Sequence, residues 1–490
     1  MDVNNLTNEI EEKEKQEKKV TISLFKYIMT VIGAIILTAA ITTFALIGGN
    51  QTTVENEAPK RSEFLKLYEV YNTLDDHYYK NVDKSKLIDS AIKGMVSGLD
   101  DPYSEYMTKE EQQAFTDTMS GDFQGIGAEV SEEGDKIIIT SPLKDSPAYK
   151  AGVKPGDEII AVNGKSAVGM KTVDVIEQIR GESGTTVHLT LRRGNGEPFK
   201  LAIKRGKIHL ESVESKMLKN KTALITVSKF QEGTAREFHQ ALSDMNKKGM
   251  KKLILDFRNN PGGYLEEAQK MAGEFIPKDD VLFYTEPKDG KLTPYKSDNP
   301  ANPITRDLPT VIVLNEGSAS ASEVFAAALH DHDKARIAGT KSFGKGIVQT
   351  ATPFKDDSLL KFTEMKWLTP DKTWIHKKGI QPDKKIELPA YANSHVLNPS
   401  DTFASGTKNS QVKSLETGLS ALGYDVGKVD TQFDDDTAAA MQAFQTDHHL
   451  EVTGTMQGKT TEKFTELLRL KLEKNDPQLK GAENLVNTMK

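Results

Sequence analysis

The sequence contains no cysteine. That one absence excludes disulfides, cysteine-based metal sites and a thiol nucleophile together. Basic charge is also short: 64 lysines and arginines stand against 71 acids, for a formal net charge of -7. General nucleic-acid binding calls for a basic patch and usually a basic domain, so no nucleic-acid partner is expected. No histidine and carboxylate motif carries metal-ligand spacing, so no metal and no cofactor is expected. Long apolar runs are scarce too, with one exception near the start. From Tyr27 to Gly49 no charged residue occurs and Ile, Ala, Leu and Thr prevail. About twenty apolar residues suffice to span a bilayer. The run is too long for the core of a cleaved signal peptide, which favours a retained transmembrane anchor at 27–49. Lysines crowd residues 13–26, so the positive-inside rule puts residues 1–26 in the cytoplasm and everything after 50 outside the cell membrane.

What is present divides into several modules, in keeping with about 100–200 residues per domain. Residues 50–120 read as a polar linker followed by helices. Phe64, Leu65, Leu67, Val70, Tyr71 and Leu74 recur at helical spacing, and Leu87 to Leu99 makes a second helix. Thr108-Lys109-Glu110-Glu111 has a capping-box pattern that starts a third. Such a helical segment suits packing on the rest of the chain or on a second copy of it, as in a homo-oligomer. Residues 121–205 are different: small strands, glycine turns and one longer helix through Val173, Ile176 and Ile179. From 206 to 390 strands and helices alternate, which implies an α/β domain with parallel crossovers. Residues 391–405 form a linker rich in Asn, Ser, Thr and Pro. Short amphipathic helices occupy 406–468, and 469–490 is read as a C-terminal tail.

Chemistry concentrates between Thr310 and Thr350. Val311-Ile312-Val313-Leu314 reads as a buried strand, and Val324 to Leu329 as a helix. Ser318-Ala319-Ser320-Ala321-Ser322-Glu323 fills the junction between them, where backbone N–H groups are free at the helix N-terminus. A serine there can act as nucleophile beside an oxyanion site. Spacing alone does not choose among Ser318, Ser320 and Ser322. Ser342-Phe343-Gly344-Lys345-Gly346 then sets a lysine between glycines, before the strand Ile347-Val348-Gln349-Thr350. In a continuous strand Lys345 and Gln349 would share one face. Phe343 and the flanking glycines permit burial of Lys345, which a neutral amine base requires. A second strand ends at Arg258-Asn259-Asn260-Pro261-Gly262-Gly263. One of its glycines, taken as Gly263, completes with the amide of Ala321 a two-donor oxyanion hole. His330, Asp331 and His332 offer a rival triad, but they lie about three helical turns beyond Ser320; His376 stays open as an alternative base.

Gly125-Ile126-Gly127-Ala128, Pro147-Ala148, Ala151-Gly152, Gly156-Asp157 and Val162-Asn163-Gly164 resemble a PDZ domain over the whole of 121–205. Such a domain adds a peptide C-terminus to its sheet and holds the carboxylate on loop amides, here those of Gly125, Ile126, Gly127 and Ala128. Leu422-Gly423-Tyr424, Phe444-Gln445 and Val452-Thr453-Gly454 resemble the three-helix peptidoglycan-binding domain, although Thr431 and Asp434 replace expected glycines. Wall binding and a packing module therefore both stay open for 406–468. With Asp101-Pro102-Tyr103-Ser104-Glu105-Tyr106, Leu368-Thr369-Pro370 and Gly379-Ile380-Gln381-Pro382-Asp383 added, residues 64–389 resemble the carboxy-terminal processing (tail-specific) serine proteases. The resemblance implies a multidomain α/β fold: a crotonase-like α/β catalytic core with an inserted β-rich PDZ domain, and a small all-α C-terminal domain. It implies Ser320 as nucleophile, Lys345 as base and Gln349 as the supporting amide. The expected activity is hydrolysis near the C-termini of exported proteins. The alternative is a catalytically inactive PDZ and cell-wall scaffold.

Overall fold

The computed structural model describes residues 62–134, 136–394 and 397–489, and the expected span at 27–49 lies outside them. Among the described residues no helix is long and apolar enough to cross a membrane. The chain divides into two units, Met1–Ala91 and Ile92–Lys490. In the first, α1 (Leu65–His77) buries none of its residues, and Leu65, Tyr68 and Val70 are exposed. The helix α2 (Lys84–Ser97) starts there and continues into the second unit.

The second unit opens with a three-residue strand, β1 (Glu105–Met107), and with α3 (Lys109–Ser120). Thr108 and Glu111 close the capping box reciprocally, and Gly121 ends α3 in the left-handed conformation. The next strand, β2 (Asp122–Gly125), pairs antiparallel with β9 (Gly206–His209). This ribbon brackets the inserted domain. Within it, β3 (Ala128–Glu133), β4 (Lys136–Pro142), β5 (Asp157–Val162), β7 (Thr186–Arg193) and β8 (Phe199–Lys204) form an antiparallel sheet in that order, with β6 (Lys165–Ser166) beside β5. Val187, Leu189 and Leu191 alternate inward along β7, the period-two pattern of a half-buried strand. They pack with Val175 and Ile179 of α5 (Thr172–Ile179), which follows the single-turn α4 (Pro147–Lys150). β3 is one edge of the sheet and β8 the other.

The α/β domain has a six-stranded sheet: β10 (Val213–Met217), β11 (Thr222–Val227), β12 (Lys252–Asp256), β15 (Thr310–Leu314), β16 (Arg336–Gly339) and β19 (Lys384–Lys385). Only β10 is antiparallel. A central parallel strand is buried on both faces, and every residue of β15 is. One face packs against α6 (Thr234–Lys247), α7 (Leu265–Ala272) and α8 (Ala321–Asp331), where Phe230, Phe257 and Phe325 stack together. A second sheet holds β1, β18 (Leu359–Leu368), β13 (Val281–Glu286) and β14 (Thr293–Lys296) in that order, with β17 (Ile347–Pro353) also paired to β18. The core is thus not confined to 206–390, because β1 comes from before the inserted domain. Three residues are too few to show a hydrophobic period.

The C-terminal module packs α9 (Ser410–Leu422), α10 (Asp435–Asp447) and α11 (Lys459–Lys474) around Leu415, Leu419, Met441, Phe444 and Phe464. Asp434, which replaces an expected glycine, caps α10 by accepting from the Thr437 amide at 3.0 Å. The segment after 468 corrects the expectation of a tail. It completes α11 and then forms α12 (Pro477–Thr488), whose Ala482 and Val486 are fully buried against Leu224, Ile254, Val311 and Val313. The physical cause is the sheet's second apolar face, which must be covered. Asp476 caps α12 and Pro477 sits at its first turn, a start signal legible in hindsight.

Candidate active site

Three strand ends meet at the site. The turn after β12 is held by Asn260, whose side chain donates to the Val227 carbonyl at 2.8 Å and accepts from the Gly262 amide at 2.9 Å. Its own carbonyl accepts from the Ala319 amide and from the Ser322 hydroxyl, both at 3.0 Å. Gly262 has φ +95°, and a Cβ there would stand 2.7 Å from the Ala319 carbonyl oxygen and 2.8 Å from the Ser320 Cβ. Only glycine allows the two turns to touch.

The three serines separate cleanly. Ser318 is buried, donates to the Phe257 carbonyl at 2.8 Å and accepts from the Asn315 amide. Ser322 is buried on Asn260. Ser320 alone is half-buried. It stands immediately before α8 with φ +56° and ψ −117°, a conformation that costs a non-glycine residue about 1–3 kcal/mol. Such strain persists only where the surroundings impose it. The amide of Ala321, the first helical residue, has no acceptor among the described residues, and neither has that of Gly263.

Glu323 carried no role in the sequence reading. It is fully buried, and its carboxylate accepts from the Ser320 and Lys345 amides at 2.8 Å each on one oxygen. On the other it accepts from the Gly344 amide at 2.7 Å and the Ser342 hydroxyl at 2.5 Å. Ser342 is itself an acceptor from the Ile380 amide at 2.7 Å. Burial pushes the Glu323 carboxyl up, while these donors pull it back. Three backbone amides and the Ser342 hydroxyl thus converge on Glu323, which binds the serine turn to the lysine loop. The serine-x-x-glutamate spacing of a capping box was the available signal.

Both tryptophans of the chain pin the lysine loop. Trp367 donates to the Lys345 carbonyl at 2.8 Å, and Trp374 to the Gly346 carbonyl at 2.7 Å. The Lys345 amine lies over the Tyr103 ring, 5.1 Å from its centroid. Burial, and secondarily the charge of Lys361, hold Lys345 below the ordinary lysine range, against an opposing pull from Asp101 and Glu323. Phe343 is not the covering residue; it is 52 % exposed. The expectation that Lys345 and Gln349 share a strand face also fails. β17 starts only at Ile347, so Lys345 lies outside the strand that holds Gln349. No hydrogen bond joins the two, and the buried Nε2 of Gln349 has no partner among the described residues.

The rival histidines are accounted for. His330 faces Asp331 and Asp383, and His332 donates to the Val281 carbonyl. His376 is closer: it stacks on Trp374, and its Nδ1 accepts from the Gly346 amide at 3.3 Å. Burial and Lys377 lower its pKa. In the inserted domain, a cavity of about 320 Å³ is lined by Gly125, Ile126, Gly127, Ala128, Ile179 and Arg180. The amides of Ile126 and Gly127 have no acceptor among the described residues. Arg180 lies over the Phe123 ring.

The family models match in the same order as these modules: an activating protease CtpB N-terminal domain at 36–111, a PDZ domain at 116–192, peptidase family S41 at 221–386 and a peptidoglycan binding domain at 408–463. A CtpA-like serine protease of Staphylococcus haemolyticus is 45% identical over 486 residues, covering 99% of this chain and 97% of its own. The chain belongs to peptidase family S41. It is a serine-type peptidase with a PDZ domain, built like the C-terminal processing proteases. A CtpA-like serine protease of Staphylococcus saprophyticus is 44% identical over 478 residues, covering 98% of this chain and 97% of its own. Among solved structures, the photosystem II D1 C-terminal processing protease is similar at 27% identity, with a TM-score of 0.39, over 66% of this chain and 86% of that one.

Proposed function

We propose that this protease is a membrane-anchored, extracytoplasmic endopeptidase that cuts near the C-termini of exported proteins with a Ser320/Lys345 dyad. The observation that carries the reading is the clamp of Glu323, which grips the backbone of Ser320 and that of Lys345 on one oxygen. In the first step the Ser320 oxygen bonds to the scissile carbonyl carbon while its proton passes to the Lys345 amine. The oxyanion is held by the free amides of Gly263 and Ala321. Collapse breaks the carbon–nitrogen bond, and Lys345 returns the proton to the leaving amine. Water, deprotonated by Lys345, then releases the acid and frees the serine. Gln349 is the supporting amide in this reading, although its buried Nε2 has no partner among the described residues. A base must be neutral, so activity rises with pH through the lowered pKa of Lys345, below the ordinary value of about 10.4.

The loop 125–128 is suited to the carboxylate of a substrate tail, with the tail added to the free edge of β3. The residues 406–468 are suited to peptidoglycan. The test is covalent labelling of Ser320 by a serine-reactive phosphonate, paired with digestion of an unstructured substrate by residues 50–490. Ser320→Ala and Lys345→Ala are expected to abolish turnover. Residual activity above about a hundredth of wild type in Ser320→Ala would exclude it as nucleophile. The inactive scaffold predicts no labelling at all.

A further inference from the structure

The motif Asp101-Pro102-Tyr103-Ser104-Glu105-Tyr106 has no part in the chemistry described so far. The structure gives it one address. β1 lies antiparallel on β18, with Glu105 opposite Lys361 and Met107 opposite Leu359. Tyr106 and Met107 are buried, and Tyr106 packs against Phe354. Ahead of the strand, the Asp101 carboxylate accepts from the Ser104 hydroxyl at 2.6 Å and from the Tyr103 amide at 3.1 Å. Ser104 in turn accepts from the Thr363 amide at 3.0 Å. This strap is therefore tied at both ends to β18, and it leaves Tyr103 half-buried between Lys345 and His376.

We propose that Tyr103 is a positioning residue for Lys345: its ring seats the amine and closes it off from water, so that the strap from Asp101 to Met107 completes the catalytic site. This rests on the Ser/Lys reading above. Four charged or titratable groups bear on the amine from the surrounding elements: Asp101 from the strap, Glu323 from α8, Lys361 from β18 and the tyrosine itself. His376 reaches the same ring from its other neighbourhood. The two carboxylates favour the ammonium. A ring face also attracts an ammonium, so the ring favours the neutral amine only through the water it excludes, an effect that Lys361 reinforces. Its phenol makes no hydrogen bond to Lys345, so the ring rather than the hydroxyl does the work.

The experiment is the pH dependence of kcat/KM for the full chain, because its acid limb reports the base in the free enzyme. Tyr103→Phe is expected to keep the wild-type profile. Tyr103→Ala is expected to move the acid limb at least one pH unit upward, a tenfold loss below the limb that is recovered at alkaline pH. The pH dependence of Ser320 labelling by the phosphonate should move by the same amount, independent of turnover. If Tyr103→Ala fails to unfold cooperatively, Tyr103→Leu replaces it, with a shift in the same direction expected. A uniform loss at every pH, or an unmoved limb, overturns the proposal. Lys345→Ala run beside them separates the two readings: if it stays active the dyad is wrong, and if it is dead while the limb of Tyr103→Ala stays put, only the role of Tyr103 is wrong.

Discussion

Replacing Glu323 by glutamine tests the clamp with almost no change in volume. The carboxylate accepts two donors on each oxygen. An amide has one oxygen, so its NH2 group must face two of the four donors whichever way it turns. Toward Ser320 and Lys345 it opposes two backbone amides. Toward Ser342 and Gly344 it opposes one amide and takes away the charged acceptor of the hydroxyl. Bonds to a charged acceptor contribute about 1.5–3 kcal/mol each, so losing two costs roughly 3–6 kcal/mol. For a core of this size the lower figure lowers the melting temperature by roughly 6–12 °C. The same loss loosens the Ser320 turn against the Lys345 loop, and kcat/KM is expected to fall at least about a hundredfold, since each 1.36 kcal/mol is tenfold in rate. Differential scanning calorimetry and cleavage of an unstructured fluorogenic peptide measure the two effects. A Glu323→Gln protein within threefold of wild-type kcat/KM and within about 2 °C in melting would refute the clamp.

Two further outcomes follow from neighbouring geometry. Gly262→Ala forces a methyl against the Ala319 carbonyl and the Ser320 Cβ at a positive φ, so labelling of Ser320 should slow by more than tenfold while the PDZ domain still folds; an unchanged labelling rate would contradict the contact. Arg258, 17% exposed as a side chain, is shared by Asp256 at the end of β12 and Asp476 at the cap of α12. Arg258→Ala strands two largely buried carboxylates and is expected to cost about 3–5 kcal/mol in chemical denaturation, with little rescue by lysine, which cannot bridge both.

Much of the site was legible before any coordinates. Helix starts and glycine turns are local events, so the capping box at Thr108, the buried strand Val311–Leu314 and the glycine pair after β12 could all be read from neighbours in the chain. Gln349 shows where such reading stops. Period two holds only inside a strand, and the late start of β17 at Ile347 is set by pairing with β18, a partner beyond the local window. The choice among Ser318, Ser320 and Ser322 was likewise closed to local reading. Two of the hydroxyls are bound by carbonyls some sixty positions away in sequence.

The sequence by itself determined the modules, their order and the kinds of residue at the reacting centre, because each rests on composition, period and short spacing. Tertiary structure alone decided what joins them. Glu323 holds two loops that lie some twenty residues apart, Tyr103 reaches Lys345 from before the inserted domain, and α12 returns from beyond the C-terminal module to cover β12, β15 and β16. The reason is physical: a buried charge, a shielded amine and a two-faced parallel sheet all need partners, and the chain meets those needs with segments distant in sequence.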